Sequence, residues 1–255
     1  MKTIDINCDL GEGIGNENAI MPYISSANIA CGYHAGDENT IWQTAELCLK
    51  YNVAIGAHPS FLDKENFGRT EMKIDADDLY DLVIQQLIII DEIISGLDAT
   101  LHHVKPHGAL YNLSAKDKTV AKTIAKAVKD YSKDLILFGL SGTPSIKEAE
   151  KIGLKICNEA FADRNYSDDG SLVPRSKKGA LIDTIDGAVK QALQFVNEEK
   201  VTTANGKKIK LKADTICLHG DGAHAVEFAR AINEAFKKEG ITIASSQYST
   251  LHTRH

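Results

Sequence analysis

No uninterrupted apolar run in this chain is long enough to cross a bilayer. The longest apolar-looking stretch, residues 82–97, is broken by Gln85, Gln86, Asp91 and Glu92. The first residues, Met-Lys-Thr-Ile-Asp, lack the apolar core of a secretory signal and lead straight into a strand pattern, so a soluble, cytoplasmic protein is expected. Cysteine is sparse: the five residues are odd in number, form no Cys-x-x-Cys pair and sit mostly in apolar runs, which fits reduced, buried thiols rather than disulfides or a thiolate zinc site. Positive charge is also in deficit. A net charge of -6 with no basic run argues against nucleic acid or an anionic membrane as the partner. Three familiar catalytic signatures are absent too: G-x-x-x-x-G-K-[ST], H-E-x-x-H and G-x-S-x-G do not occur.

What is present is an alternation of strand and helix patterns with no linker and no break in composition. With 255 residues, 43% of them hydrophobic, the chain can build one large core. Strands are expected at Thr3–Asp9, Ala27–Cys31, Val53–His58, Leu101–His107, Leu135–Phe138, Leu154–Phe161 and Thr215–Asp221. Helices between them are expected to draw on Ile41, Ala45, Leu47 and Leu49, on Leu79 to Leu97 after an Asp75 cap, on Val120 to Tyr131, on a Thr143-Pro144 start, on Ile185–Val196 and on Val226 to Phe236. A hairpin is expected around Asn205-Gly206. Two polar segments, residues 60–72 and residues up to Lys178, are candidate lids. The simplest architecture is an α/β fold in which seven parallel strands close into a β/α barrel, a single domain over residues 1–255 with a short polar tail over 245–255.

Parity along the strands carries the functional information. If Ile4, Ile6, Cys8, Ile29, Val53, Ile55, Val104, Ile216 and Leu218 face the helices, the opposite phase turns Asp5, Asn7, Asp9, Asn28, His58, His103, Lys105, His107, Glu159 and His219 into the lumen. In parallel barrels the working groups collect at the carboxyl ends of the strands, so Asp9, His34, His58, His107, Asp163 and His219 should ring one mouth. Taken singly, each has a plain structural role available. Asp37 suits a helix cap, Asp163-Arg164 a surface pair, Lys105 a rim position, and the Gly11 to Gly15 turn a tight loop. Together they suit hydrolysis or group transfer: a divalent metal on Asp9 and two histidines, a carboxylate or histidine base with Lys105 or Arg164 at an oxyanion, or the same cations at phosphoryl oxygens.

Several long motifs, Asp5-Ile-Asn-Cys-Asp-Leu-Gly-Glu12, Ser26-Ala-Asn-Ile-Ala-Cys-Gly-Tyr-His-Ala-Gly-Asp37, Ile55-Gly-Ala-His-Pro-Ser60, Val104-Lys-Pro-His-Gly-Ala-Leu-Tyr-Asn112, Glu159-Ala-Phe-Ala-Asp-Arg-Asn-Tyr166 and Ile216-Cys-Leu-His-Gly-Asp221, together resemble the LamB/YcsF lactam-utilisation family. The resemblance runs over nearly the whole chain. It implies a seven-stranded β/α barrel akin to polysaccharide deacetylases and some glycoside hydrolases. It also implies the role of the A subunit in an ATP-dependent 5-oxoprolinase, which opens the lactam of 5-oxo-L-proline to L-glutamate with hydrolysis of ATP and works with two further subunits, B and C. Carried over residue by residue, it makes Asp9, Glu12, His34, Asp37, His58, Lys105, His107, Asp163, Arg164, His219 and Asp221 the candidate catalytic set. The chain departs from the family's usual pattern after Glu12, at Asn66-Phe-Gly-Arg-Thr70 and at Gly222-Ala-His224. ATP is expected as co-substrate, with its seat open between the Gly11 to Gly15 turn and a partner subunit. Two other readings stay in view: a metal-dependent deacetylase or amidohydrolase using Asp9 with His34, His58 or His107, and a lactam-binding subunit that does no chemistry.

Overall fold

The computed structural model describes residues 2–220, 222 and 224–246. Its strands are β1 (Thr3–Leu10), β2 (Ser26–Ala30), β3 (Ala54–His58), β4 (His103–Val104), β5 (Ile136–Leu140), β6 (Lys155–Phe161), β7 (Lys200–Thr202), β8 (Lys208–Lys210), β9 (Thr215–Leu218) and β10 (Thr242–Ile243). Its α-helices are α1 (Glu17–Ile20), α2 (Glu38–Tyr51), α3 (Ala76–Ser95), α4 (Gly108–Ser114), α5 (Lys118–Tyr131), α6 (Pro144–Lys151), α7 (Ile185–Glu198) and α8 (Ala225–Lys238). Strands β1 to β6 and β9 pair in parallel in chain order, and β1 also pairs with β9, which closes a seven-stranded barrel. Two short antiparallel strands, β7 and β8, form the expected hairpin outside it. β10 adds to the amino end of β1.

The helices form because their apolar residues recur at three and four positions. In α3, Leu79, Val83, Leu87, Ile90 and Ile94 are buried, and the Asp75 side chain accepts from Asp78 N to cap the first turn. On the helix-facing side of the strands, Ile4, Ile6 and Cys8 of β1 and Ile29 of β2 are buried in the same hydrophobic core. All five cysteines are buried and free, in keeping with their apolar settings in the sequence.

Some expectations shift. Leu49, counted toward the core of α2, is 48% exposed, and Thr44 and Cys48 take the inward positions. The fourth strand is regular for only two residues, because Pro106 has no N–H to give the ladder. Pairing nonetheless continues on either side of it, Lys105 N donating to Ala57 O at 2.9 Å and His107 N to Pro59 O at 2.8 Å. The helix α4 follows at once, an addition to the expected elements. From the polar tail only Ser245 and Ser246 lie within the described residues; the Ser246 carbonyl accepts from His102 Nε2 at 3.0 Å.

Candidate active site

The parity argument is realised as a polar lumen. Deepest, Asp5 accepts hydrogen bonds from Ser25, Ser26 and Thr215, at 2.6, 2.9 and 2.7 Å. Burial dominates over these donors and pushes its carboxyl up to about 6. One layer up, Asn7 Nδ2 donates to Glu159 Oε1 and to Thr215 Oγ1, and Asn28 Nδ2 donates to Asn7 Oδ1 and Asp9 Oδ1. His103 Nε2 meets Asn28 Oδ1 at 2.8 Å, and its ring fills the space beside Gly56, where a Cβ would lie 2.1 Å from the imidazole. Only glycine fits there.

Lys105 ties this layer to the mouth. Its ammonium lies 2.8 Å from Asp9 Oδ1, 2.9 Å from Glu159 Oε1, 3.2 Å from Asn7 Oδ1 and 3.0 Å from Cys217 Sγ. Burial disfavours its charge, but the carboxylates of Asp9 and Glu159 outweigh that and hold its pKa well above the ordinary value. Burial alone would raise Asp9 as well; His58 and Lys105 beside it keep the carboxyl well below the usual range. Three ammonium protons face four acceptors, so Lys105 has none left for a substrate oxyanion. The sequence reading of Lys105 as an oxyanion or phosphoryl ligand therefore gives way to one in which it neutralises and fixes two buried carboxylates.

At the mouth, Glu12, His34, His58 and His107 bring one ligand atom each to within 4.8 Å of one another. Glu12 Oε1 is 3.1 Å from His34 Nε2 and 3.3 Å from His107 Nδ1, and His107 Nδ1 is 2.9 Å from His58 Nε2. The remote ring nitrogens fix the protons. His58 Nδ1 donates to the Lys105 carbonyl at 2.6 Å and His107 Nε2 to the Phe67 carbonyl at 2.9 Å, since a carbonyl only accepts. Ser60 gives its own proton to Phe61 O and so accepts from His34 Nδ1 at 2.9 Å. Three ring nitrogens and one carboxylate oxygen are thereby turned on a common point. Burial first, and His58 next, pull His34 down to about 3 and hold His107 well below its ordinary value, so neither relieves the cluster by taking up a proton. The loop after β3 clamps the cluster: Gly68, at φ +65°, passes so close to His34 and His107 that a Cβ would come within 2.9 Å of each.

Across the mouth, Asp163 Oδ2 holds His219 Nδ1 at 2.6 Å, and the His219 ring stacks on Phe161 at 5.3 Å. Burial would raise Asp163, yet the adjacent His219 keeps its carboxyl low. Between the two walls lies a cavity of about 630 Å³ lined by Asp9, Glu12, His58, Lys105, His107 and His219. Arg69, Tyr111, Lys116, Arg164, Arg175 and Lys177 complete its outer part. Both segments singled out as lids thus contribute to it, the first through Arg69 and the second through Arg164, Arg175 and Lys177.

One member of the expected set stands apart from the cavity. Asp37 is exposed and accepts from Thr40 N at 2.8 Å and Thr40 Oγ1 at 2.7 Å as the cap of α2, so its role is to start that helix. Asp221 lies outside the described residues. The Gly11 to Gly15 turn, a candidate nucleotide cradle, returns the chain so that Glu12 lines the cavity, with positive φ at Gly11 and Gly13 on either side of it. Tyr111, Glu159 and Arg175 join the site from outside the candidate catalytic set. Tyr111 and Glu159 stand within motifs of the resemblance, and alternating phase turns Glu159 inward; Arg175 has only the polar character of its segment to mark it.

Comparison with known proteins bears on this geometry. The LamB/YcsF family pattern matches residues 4–250. The A subunit of 5-oxoprolinase from Staphylococcus haemolyticus is 52% identical over 247 residues, covering 95% of this chain and 99% of the relative. A lactam utilization protein from Thermus thermophilus superposes with a TM-score of 0.91 at 39% identity, over 96% of this chain and all of the other. A family 4 carbohydrate esterase from Streptomyces lividans shares the fold alone, with a TM-score of 0.54 at 9% identity over 98% of this chain and 95% of its own.

Proposed function

The chain belongs to the LamB/YcsF family, and from that premise we propose that it is the A subunit of a 5-oxoprolinase. In this reading it opens the ring of 5-oxo-L-proline to L-glutamate as part of a complex with subunits B and C that hydrolyses ATP to ADP and phosphate. The observation that carries the proposal is the likeness, from end to end, to a relative of that name. No helix among the described residues is long and apolar enough to cross a membrane. Free buried thiols suit the cytoplasm, where we place the complex.

A five-membered lactam resists hydrolysis for three reasons: its amide carbon is a poor electrophile, water is a poor nucleophile and the ring nitrogen is a poor leaving group. Phosphorylation of the carbonyl oxygen by ATP answers the first, and the cations Arg69, Arg175 and Lys177 lining the cavity suit the oxygens involved. His219 answers the other two. With Nδ1–H held by Asp163, its Nε2 can take a proton from the attacking water and return it to the departing nitrogen, which leaves an acyl phosphate that a second water cleaves to glutamate and phosphate.

Glu12, His34, His58 and His107 would hold a divalent ion of the zinc class. The fit is one of donor chemistry: three imidazoles, each held through its remote nitrogen by a second partner, and one carboxylate, converging so that with an ion bound each ring would offer it a lone pair. Bound there, such an ion would polarise a carbonyl oxygen or a water molecule.

The test is a coupled measurement of glutamate and phosphate released from 5-oxoproline. Equal release of both is expected only with ATP and the partner subunits present. Glutamate formed by this chain alone without nucleotide would overturn the proposal.

A further inference from the structure

We propose that Arg164 and Tyr111 form a subsite for a carboxylate carried on the substrate ring, and that this subsite restricts the cavity to lactams bearing one. The inference rests on the lactam reading above only for the ring; the subsite itself follows from one orphaned donor, Arg164 Nε, and one poorly matched donor, the Tyr111 hydroxyl. Arg164 is 6% exposed and Tyr111 is 5% exposed, yet Arg164 Nε has no hydrogen-bond partner among the described residues, and the Tyr111 hydroxyl meets the Glu159 carboxylate without forming a well-shaped bond to it. Both side chains line the same cavity. Buried donors left unpaired are costly and are seldom kept unless something else completes them.

Neither group is free to turn away. The Arg164 guanidinium is anchored by Nη2 donating to Val173 O at 2.7 Å, while its own carbonyl accepts from Gln191 Nε2 at 2.7 Å. Tyr111 stands on α4 with its ring edge-on to Phe161 at 5.8 Å. Burial, with the Glu159 carboxylate nearby, keeps the phenol protonated and hence a donor. Burial and the neighbouring Arg175 work against the charge of Arg164, a balance that a bound anion would restore. The other deep cation, Lys105, has its protons committed to Asp9, Asn7, Glu159 and Cys217, so it does not compete for the anion.

The same region also holds two orphaned acceptors, Glu159 Oε2 and Asp163 Oδ1. An inorganic phosphate offers chiefly acceptors and would meet these carboxylate oxygens unfavourably. A ring with an N–H next to a carboxylate presents both kinds of group, as the wall does.

The experiment is calorimetric titration of the full chain with 5-oxo-L-proline, its carboxamide and 2-pyrrolidinone, for the wild type, Tyr111→Phe and Arg164→Gln. The carboxylated ring should bind about tenfold or more tighter than either neutral ring. Tyr111→Phe should weaken only the carboxylated ring, by about five- to tenfold, and Arg164→Gln should erase the preference. If the isolated chain binds none of the three, the same ratios are read as KM in the assembled complex with subunits B and C. Equal affinity for charged and neutral rings, or variants that weaken all three alike, would overturn the subsite. Stronger displacement by inorganic phosphate than by the carboxylated ring would do so too. A carboxylated ring that binds selectively but is never opened by the complex would instead overturn the 5-oxoprolinase reading and leave the subsite standing. Tyr111→Phe, which removes one hydroxyl, carries the test if Arg164→Gln fails to fold.

Discussion

The lumen below Asp9 and the cavity above it are built from the same residue types, yet their hydrogen-bond accounts differ. Below, Asn7, Asn28, Asp9, Lys105 and Glu159 Oε1 answer one another, with Glu159 Oε2 the one atom of that group left unmatched, and the three protons of Lys105 face four acceptors. Above, three histidine ring nitrogens crowd a carboxylate, and Tyr111, Arg164 and Asp163 each keep an unmatched atom. A saturated buried network gives rigidity and position, whereas an unsaturated one gives a place for something else to bind. Lys105, the group in the sequence that most invites a catalytic role, belongs to the first kind.

Four substitutions bear on that contrast. The largest effect on folding should come from Lys105→Met, which leaves two buried carboxylates without their cation; a loss of about 3–5 kcal/mol is expected, read as a lower urea midpoint at unchanged slope. If stability holds and only turnover falls, Lys105 acts on substrate after all. Glu12→Gln should do the opposite, cutting metal retained per chain and turnover of the complex by about 10- to 100-fold while the urea midpoint stays near wild type. A smaller, pH-dependent effect is expected at Asp5. Its folded pKa of about 6 lies above the unfolded value, so the protonated form stabilises the fold at low pH, and that contribution is lost as pH rises through the interval from 3.8 to about 6. Measured against Asp5→Asn, the wild type should lose stability by about 1.4 kcal/mol per pH unit across that interval and run level above it; a flat difference would place the titration elsewhere. Smallest of all, Asp37→Ala should lower the urea midpoint slightly through α2 and leave turnover unchanged, and a collapse of activity would return Asp37 to the site.

Alternation along the strands makes much of this readable in the sequence. Asp9, His58, His103, Lys105 and Glu159 share one phase because a strand turns successive side chains to opposite faces, and that rule needs no tertiary knowledge. What it does not supply is pairing. That Lys105 spends its protons inside the lumen depends on β1, β6 and β9 arriving beside it, and their approach is a property of closure rather than of any one strand. Glu12 lies beyond the end of β1 and reaches the histidines only through a glycine turn, so the carboxylate expected with them is Asp9, which meets His58 Nε2 at 3.4 Å from below. Tyr111 is obscured because it sits on α4, directly after a strand pattern that hides the helix. Asp37 matches a family motif and a cap rule at once, and the cap is what the fold uses.

The closure of β1 against β9 also has a consequence during synthesis. Thr215 pairs with Asp5 across a separation of 210 residues. At about 5–20 residues per second, the ribosome needs roughly 10–40 s to deliver the one after the other. For that interval the first strand has a bare edge, open to β-pairing with another nascent chain. Its lumen face, Asp5, Asn7 and Asp9, is polar, and charged side chains of that kind make a bare strand a poorer template for a second chain.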